Sequence, residues 1–246
     1  MKEDAKRIKD PLKAIYHDSI IDNPGHFKQL INHNTGLLCI DMQYLDAVDG
    51  FGVFQEADSS SGVTKEARQY YFTRLKELVL PNVRRLQDAF RSCRLEVMHT
   101  RIQALTQDGR DRSPGHKRLN LLASPGSKEA EFVEAVAPVG DEVVVNKTAS
   151  GVFSSTNFHF VLNNMGVNAL FVCGVYTNEC VETTVRAASD LGYFVTMIDD
   201  ACATVTPQLQ EASVATLKDR YARVVDTETA LGDIARFAAG ESSSML

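Results

Sequence analysis

The sequence predicts an α/β protein of three layers, α-β-α, built on an open, mainly parallel sheet of six strands. Short apolar runs of strand length alternate along the chain with amphipathic stretches of helix length. Several runs stay apolar until their last position, as expected of a parallel strand covered on both faces. Such alternation gives right-handed crossovers with helices on both sides of one sheet. A chain of 246 residues with 44% hydrophobic content is long enough to bury one sizeable core.

Residues 1–33 are polar with weak periodicity and read as an N-terminal arm ahead of a domain over 34–240. Gly36 to Asp41 is an apolar run closed by an acid, the first strand. Leu75, Val79, Val83, Leu86 and Phe90 follow at spacings of three and four, a helix in which Pro81 marks a kink or a new start. Leu95 to His99 is the second strand, and residues 101–127, rich in Gly, Ser, Arg and Asp, read as a long functional loop. Val143 to Asn146 is a short third strand, followed by a helix from about Ser155 to Asn164 that stops near Gly166. Ala169 to Cys173 is the fourth strand, and a helix from about Asn178 to Leu191 ends at Gly192. Phe194 to Ile198 is the fifth, closed by Asp199 and Asp200. A helix over 208–219, a strand at Arg223 to Val225 and a last helix holding Ile234 and Phe237 complete the pattern. The Ser-rich residues 241–246 read as a frayed tail.

The net charge is -6 and the charges are scattered, which argues against a nucleic-acid binder. No apolar run approaches the ~20 residues of a membrane helix. The five cysteines are odd in number and form no C-x-x-C pair, so neither a disulfide framework nor a zinc ribbon fits. Met1 to Asp10 is charged and lacks a signal-peptide core, so a reducing, cytoplasmic setting is the expectation. Cys39 and Cys173 lie within strand runs as small hydrophobes, and Cys93 lies between Arg91 and Arg94 in a predicted loop.

Chemistry in a parallel sheet gathers at the carboxyl ends of the strands. Asp41, Lys147 and Cys180 all fall there. Cys180 follows a tight turn off a buried strand and opens a helical pattern, where aligned peptide dipoles lower a thiol's pKa and free N–H groups hold an oxyanion. A carboxylate at Asp41 is placed to take the thiol proton and pass it to a leaving amine, although an Asp there also serves as a cap. Lys147 stabilises both anions, or is a solvated surface lysine. Three such residues at strand ends of one sheet favour the chemical reading.

These residues resemble the isochorismatase-like cysteine hydrolases over about residues 35–227. The resemblance rests on Leu38-Cys39-Ile40-Asp41-Met42-Gln43, on Asn146-Lys147 with Gly151-Val152-Phe153, and on Gly174-Val175-Tyr176-Thr177-Asn178-Glu179-Cys180-Val181. It implies a triad of Asp41, Lys147 and Cys180, a cis peptide before Tyr176, and an oxyanion hole made by the N–H groups of Tyr176 and Cys180. The implied cycle runs through a thioester. Isochorismatases proper lack the nucleophilic Cys, so Cys180 points to amide C–N cleavage. Nicotinamidases carry a D-x-H-x-x-H metal motif. Here Met98-His99-Thr100-Arg101-Ile102-Gln103 has no second His nearby, so no metal and no other cofactor is expected.

The resemblance leaves small linear amides and ureides as substrates: biuret, triuret, ureidoacrylate, N-carbamoylsarcosine and maleamate. Arg101, Gln103, Arg110 and Arg112 are offered by the long loop to a substrate carboxylate or carbonyl, Arg101 first. Gln43 is a further candidate contact, Tyr44, Phe51, Phe153 and Tyr176 are candidate walls, and Asn157 is a contact or a helix cap. Arg186 reads as a structural ion-pair former. Relatives are often dimers or tetramers, so a homodimer or homotetramer is expected, with no nucleic-acid or membrane partner. Two alternatives stay open: an isochorismatase-type hydrolase using Asp41 acid catalysis, and a non-catalytic binding protein on the same fold.

Overall fold

The computed structural model describes residues 34–55 and 62–238; the arm at 1–33 and the tail at 241–246 lie outside them. Six parallel strands form one sheet: β1 (Thr35–Ile40), β2 (Glu96–Ile102), β3 (Val143–Lys147), β4 (Ala169–Val175), β5 (Phe194–Ala203) and β6 (Arg223–Val225), in the order β3-β2-β1-β4-β5-β6. The helices are α1 (Tyr44–Ala47), α2 (Lys65–Arg74), α3 (Leu80–Ser92), α4 (Pro114–Arg118), α5 (Val152–Ser155), α6 (Phe158–Met165), α7 (Glu182–Asp190), α8 (Pro207–Leu217) and α9 (Thr227–Ala238). From β1 the chain steps one way along the sheet to β2, and from β4 it steps the other way to β5. Right-handed crossovers therefore put α3 and α7 on opposite faces. β1 and β4, at the centre, are buried at every position, which is why they read as unbroken apolar runs. Among the described residues no helix is long and apolar enough to cross a membrane.

The order in which strands are added reverses between β1 and β4, and a crevice at the carboxyl end of such a switch point is where ligands bind in open α/β sheets. The approach of these two strands depends on Gly174. Its φ is +120°, and a Cβ there would lie 2.1 Å from the Ile40 carbonyl oxygen.

Local departures from the predicted elements have identifiable causes. Of the kink or new start expected at Pro81 the structure shows the second: a π-helical turn, Leu75–Val79, joins α2 to α3 and leaves Pro81 in the first turn of α3, where its missing N–H costs nothing. The helix predicted over 155–164 is broken into α5 and α6. The hydroxyls of Ser154, Ser155 and Thr156 donate back to Gly151 O and Val152 O at 3.1, 2.7 and 2.7 Å, and such bonds compete with helix continuation. β5 runs through Asp199 and Asp200 instead of stopping. Asp200 Oδ1 accepts from the Thr227 N–H and hydroxyl at 2.7 Å each, and Asp199 Oδ1 accepts from Gln210 Nε2 at 2.6 Å, so neither acid needs to leave the sheet for water. β2 extends to Ile102, which puts Arg101 on a strand and shortens the long loop, itself interrupted by α4. Cys93 caps α3 and is partly buried.

Candidate active site

β1 ends and the chain turns sharply at Asp41, whose φ of +53° is a left-handed conformation that Asp tolerates better than most residues. The neighbouring strand holds that turn. The Asp41 N–H donates to Thr100 O at 3.1 Å, and the Thr100 hydroxyl donates to Asp41 Oδ1 at 2.8 Å. Lys147 closes β3 and reaches past the end of β2. Its Nζ lies 2.7 Å from Asp41 Oδ2 and donates to Cys180 Sγ at 3.3 Å and to Ala149 O at 3.1 Å. The ammonium thus pairs with the carboxylate and donates to the thiol and to a main-chain carbonyl.

Cys180 comes from a π-helical turn, Thr177–Val181, between β4 and α7. The Val175–Tyr176 peptide is cis. Tyr176 O accepts from Glu179 N and Val181 N at 3.0 and 3.2 Å, which folds the turn on itself. Thr177 Oγ1 donates to Gln210 Oε1 at 2.7 Å, anchoring the turn to α8. The triad is closed off from solvent: Asp41 and Lys147 are 0% exposed and Cys180 is 2%.

Burial at this level sets the protonation chemistry. The Lys147 ammonium is held well above the usual lysine range: burial opposes the charge, but the Asp41 and Cys180 charges outweigh it. The Cys180 thiol is pushed up by burial, with Lys147 pulling it down and Asp41 and Asp46 pushing it up again. This corrects the expectation of a low-pKa thiol at a helix start. The resting site holds a thiol, with the Asp41 carboxylate against the same ammonium. Alkylation of Cys180 by iodoacetamide in the free protein is therefore expected to rise with pH only above the ordinary cysteine range near 8.5. A rate profile with its midpoint below pH 7 would contradict this charge balance.

Several candidate substrate contacts have structural duties. Gln43 is 0% exposed and bridges strand ends: Nε2 donates to Ile102 O at 2.9 Å and Glu129 O at 2.8 Å, and Oε1 accepts from Ile102 N at 2.6 Å. It positions the β1 terminus. Arg101 donates from Nε to Asn146 Oδ1 at 2.7 Å and from Nη1 to Ala130 O at 3.0 Å and lies over the Phe132 ring, so the protein holds one edge of its guanidinium. Arg112 donates to the Gly109 and Leu121 carbonyls, and Arg110 pairs with Asp108. Tyr44 and Phe51 pack edge to face at 5.3 Å, with the Lys128 ammonium 4.0 Å over Tyr44. Phe153 packs on Phe158 and Tyr193 at 5.7 Å each. Asn157 occupies the N-cap of α6 without a side-chain capping bond. His99 Nε2 is committed to Glu142 at 2.9 Å, and Arg186 pairs with Glu182 at 2.7 Å.

Tyr176 and Gln103 stay at the site. The Tyr176 ring stacks on Tyr71 at 5.1 Å, and both hydroxyls donate to Asp46 O, at 3.3 and 2.8 Å. Gln103 N donates to Lys147 O at 3.1 Å. Sequence reasoning missed Thr100, Asp46, Tyr71 and His116. Thr100 and Asp46 had a signal available: a hydroxyl on β2 at the level of the β1 terminus, and an acid in the apolar surroundings of α1. Nothing in the local pattern marks Tyr71 or His116.

A parallel sheet with a Lys-bridged carboxylate and thiol at its switch point brings the three residue types together where such sheets bind ligands. The isochorismatase domain model matches residues 35–229, and the chain belongs to the isochorismatase family of hydrolases. An uncharacterised isochorismatase family protein, YddQ, of Bacillus subtilis (strain 168) is 30% identical over 165 residues, covering 63% of this chain and 86% of that protein. The ureidoacrylate amidohydrolase RutB of Acinetobacter baylyi is 30% identical over 109 residues, 44% of each chain. A crystal structure of a cysteine hydrolase from Pseudomonas syringae pv. phaseolicola superposes with a TM-score of 0.66 at 24% identity, covering 83% of this chain and 94% of that one, and it supports the fold.

Proposed function

We propose that this hydrolase is a metal-independent cysteine amidohydrolase that cleaves the C–N bond of a small linear amide or ureide. One observation carries the reading: a single buried ammonium bridges Asp41 Oδ2 at 2.7 Å and Cys180 Sγ at 3.3 Å. A thiol and a carboxylate gathered on one cation support the pairing of a nucleophile with an adjacent base.

When substrate enters, the Cys180 proton moves to Asp41 and the sulfur attacks the carbonyl carbon. The developing oxyanion is held by the N–H groups of Tyr176 and Cys180. As the intermediate collapses, the C–N bond breaks and Asp41 returns the proton to the departing amine. A water, deprotonated by Asp41, then attacks the thioester. The C–S bond breaks, the acid leaves, and the proton returns to sulfur. Lys147 stays protonated throughout and offsets the negative charge that alternates between carboxylate and thiolate. The similarity to a named ureidoacrylate amidohydrolase supports the ureide side of this class.

The test is ammonia release over a panel of ureides, carbamoyl amino acids and amides, with Cys180→Ala as control. At least one compound is expected to turn over, with a loss of about 10³-fold or more in the variant. Full activity in Cys180→Ala would instead establish acid catalysis by Asp41.

A further inference from the structure

Thr100 is a hydroxyl where the fold itself needs none. It lies on β2, beside Ile40 of β1 and Val145 of β3, and is 0% exposed. A valine would fill the same volume with no polar group to bury, and a buried hydroxyl costs free energy unless a partner receives it. The partner is Asp41. The Thr100 hydroxyl donates to Asp41 Oδ1 at 2.8 Å, and the Thr100 carbonyl accepts the Asp41 N–H at 3.1 Å. One residue thus grips both the side chain and the main chain of Asp41, at a turn whose φ of +53° has to be held by its surroundings. Gln43 makes the contrast. Its side-chain bonds go to main-chain groups of Ile102 and Glu129, so it carries the strand ends, whereas Thr100 carries a reacting group.

The two oxygens of the Asp41 carboxylate consequently differ. Oδ2 lies 2.7 Å from the Lys147 ammonium, a group with donors only. Oδ1 faces a neutral hydroxyl. A cation against an oxygen disfavours a proton there. A hydroxyl donates to a carboxylate and, by turning its hydrogen, accepts from a carboxylic acid. It therefore suits an oxygen that gains and loses a proton in each cycle.

We propose that Thr100 is a positioning residue that reserves Asp41 Oδ1 for the proton taken from Cys180 and holds that oxygen in place for the transfer. The inference rests on the cysteine amidohydrolase reading, which supplies the proton's source and destination. The transfer balances. The S–H bond breaks, its electron pair forms the bond from sulfur to the carbonyl carbon, and the proton joins Oδ1. The same proton leaves Oδ1 with the amine nitrogen when the C–N bond breaks. Lys147 stays against Oδ2 through both steps, and Thr100 acts through Asp41.

The test changes the hydroxyl and the methyl separately. Thr100→Val keeps the volume and removes the donor, and Thr100→Ser keeps the donor and removes the methyl. Each intact protein is treated with iodoacetamide at neutral pH, where Cys180 must lose its proton to react. Labelling of the Cys180 peptide is followed by mass spectrometry, with the Cys93 peptide as internal reference. Thr100→Val is expected to slow Cys180 labelling by about 10-fold or more with the Cys93 rate unchanged. Thr100→Ser should stay within about 3-fold of wild type. On a substrate from the ammonia-release panel, Thr100→Val should lose a similar factor in kcat while KM stays within about 3-fold, a split that loosened packing would not produce.

Wild-type labelling of Cys180 in Thr100→Val would overturn the inference, because the donor would then be idle. Thr100→Ser as slow as Thr100→Val would also overturn it, because the methyl would then be what matters. Where burial keeps the reagent from Cys180 in all three proteins, the kcat ratio decides, and an unchanged kcat overturns the inference equally. Labelling involves no turnover, so the two readings fail separately. Full activity in Cys180→Ala would remove the amidohydrolase reading, whereas an inactive Cys180→Ala with an unimpaired Thr100→Val would remove this inference alone.

Discussion

Lys147→Met is expected to lose at least about 10³-fold in turnover and about 3 kcal/mol or more in stability. The lysine is 0% exposed and its ammonium is the common partner of Asp41 and Cys180. Methionine keeps much of the stem's volume, so packing is nearly conserved, but it leaves Asp41 as a buried carboxylate without its cation. Removing one partner of a buried pair costs about 3–5 kcal/mol. The sign of the pH dependence follows from the raised lysine. Its contribution is complete below the ordinary lysine value near 10.4 and is lost only as pH rises through the higher folded value. The stability gap between wild type and variant, read by urea unfolding, should stay constant from about pH 6 to 10 and shrink only above the ordinary lysine value. A variant within 1 kcal/mol of wild type would show that the pair contributes little to the fold.

Gly174→Ala should be more damaging still to the fold. At φ +120° a side chain is strained wherever it points, and this Cβ would meet Ile40 O at 2.1 Å and Ile40 N at 2.7 Å. Both contacts are backbone of the central strand, so no side-chain rotation relieves them. Separating β1 from β4 would also separate Asp41 from Cys180. A loss of about 4 kcal/mol or more is expected, which for a chain of this size lowers Tm by roughly 10 °C or yields no soluble protein. Gly166→Ala is the control: φ is +73° with nothing within 4 Å of the added Cβ, so only the backbone cost remains, about 1 kcal/mol. Equal melting of the two variants would contradict this account of the β1–β4 approach.

The central strands were legible because covering both faces forces a continuous apolar run, and β1 and β4 have it. The meeting of Asp41, Lys147 and Cys180 was legible for a related reason, since residues at or just beyond the end of a strand stand at the carboxyl edge of the sheet. Where the local pattern failed, a distant partner had decided the outcome. Asp199 and Asp200 look like a strand terminus, yet Gln210 and Thr227 receive them within β5. Arg101 looks like a free loop cation until Asn146, on β3, is seen to hold it. Gln43 resembles a ligand contact but supports the ends of two strands. The thiol's protonation was misjudged for the same reason: its position at a helix start was visible, and its complete burial was not.

The chemistry stands or falls on the covalent intermediate. A substrate found in the ammonia-release panel should be mixed with the protein, quenched in acid during turnover, and the Cys180 peptide weighed by mass spectrometry. The account predicts an acyl adduct on that peptide, formed at a rate no slower than steady turnover and absent from Cys180→Ala. Turnover that continues with Cys180 never acylated would contradict it.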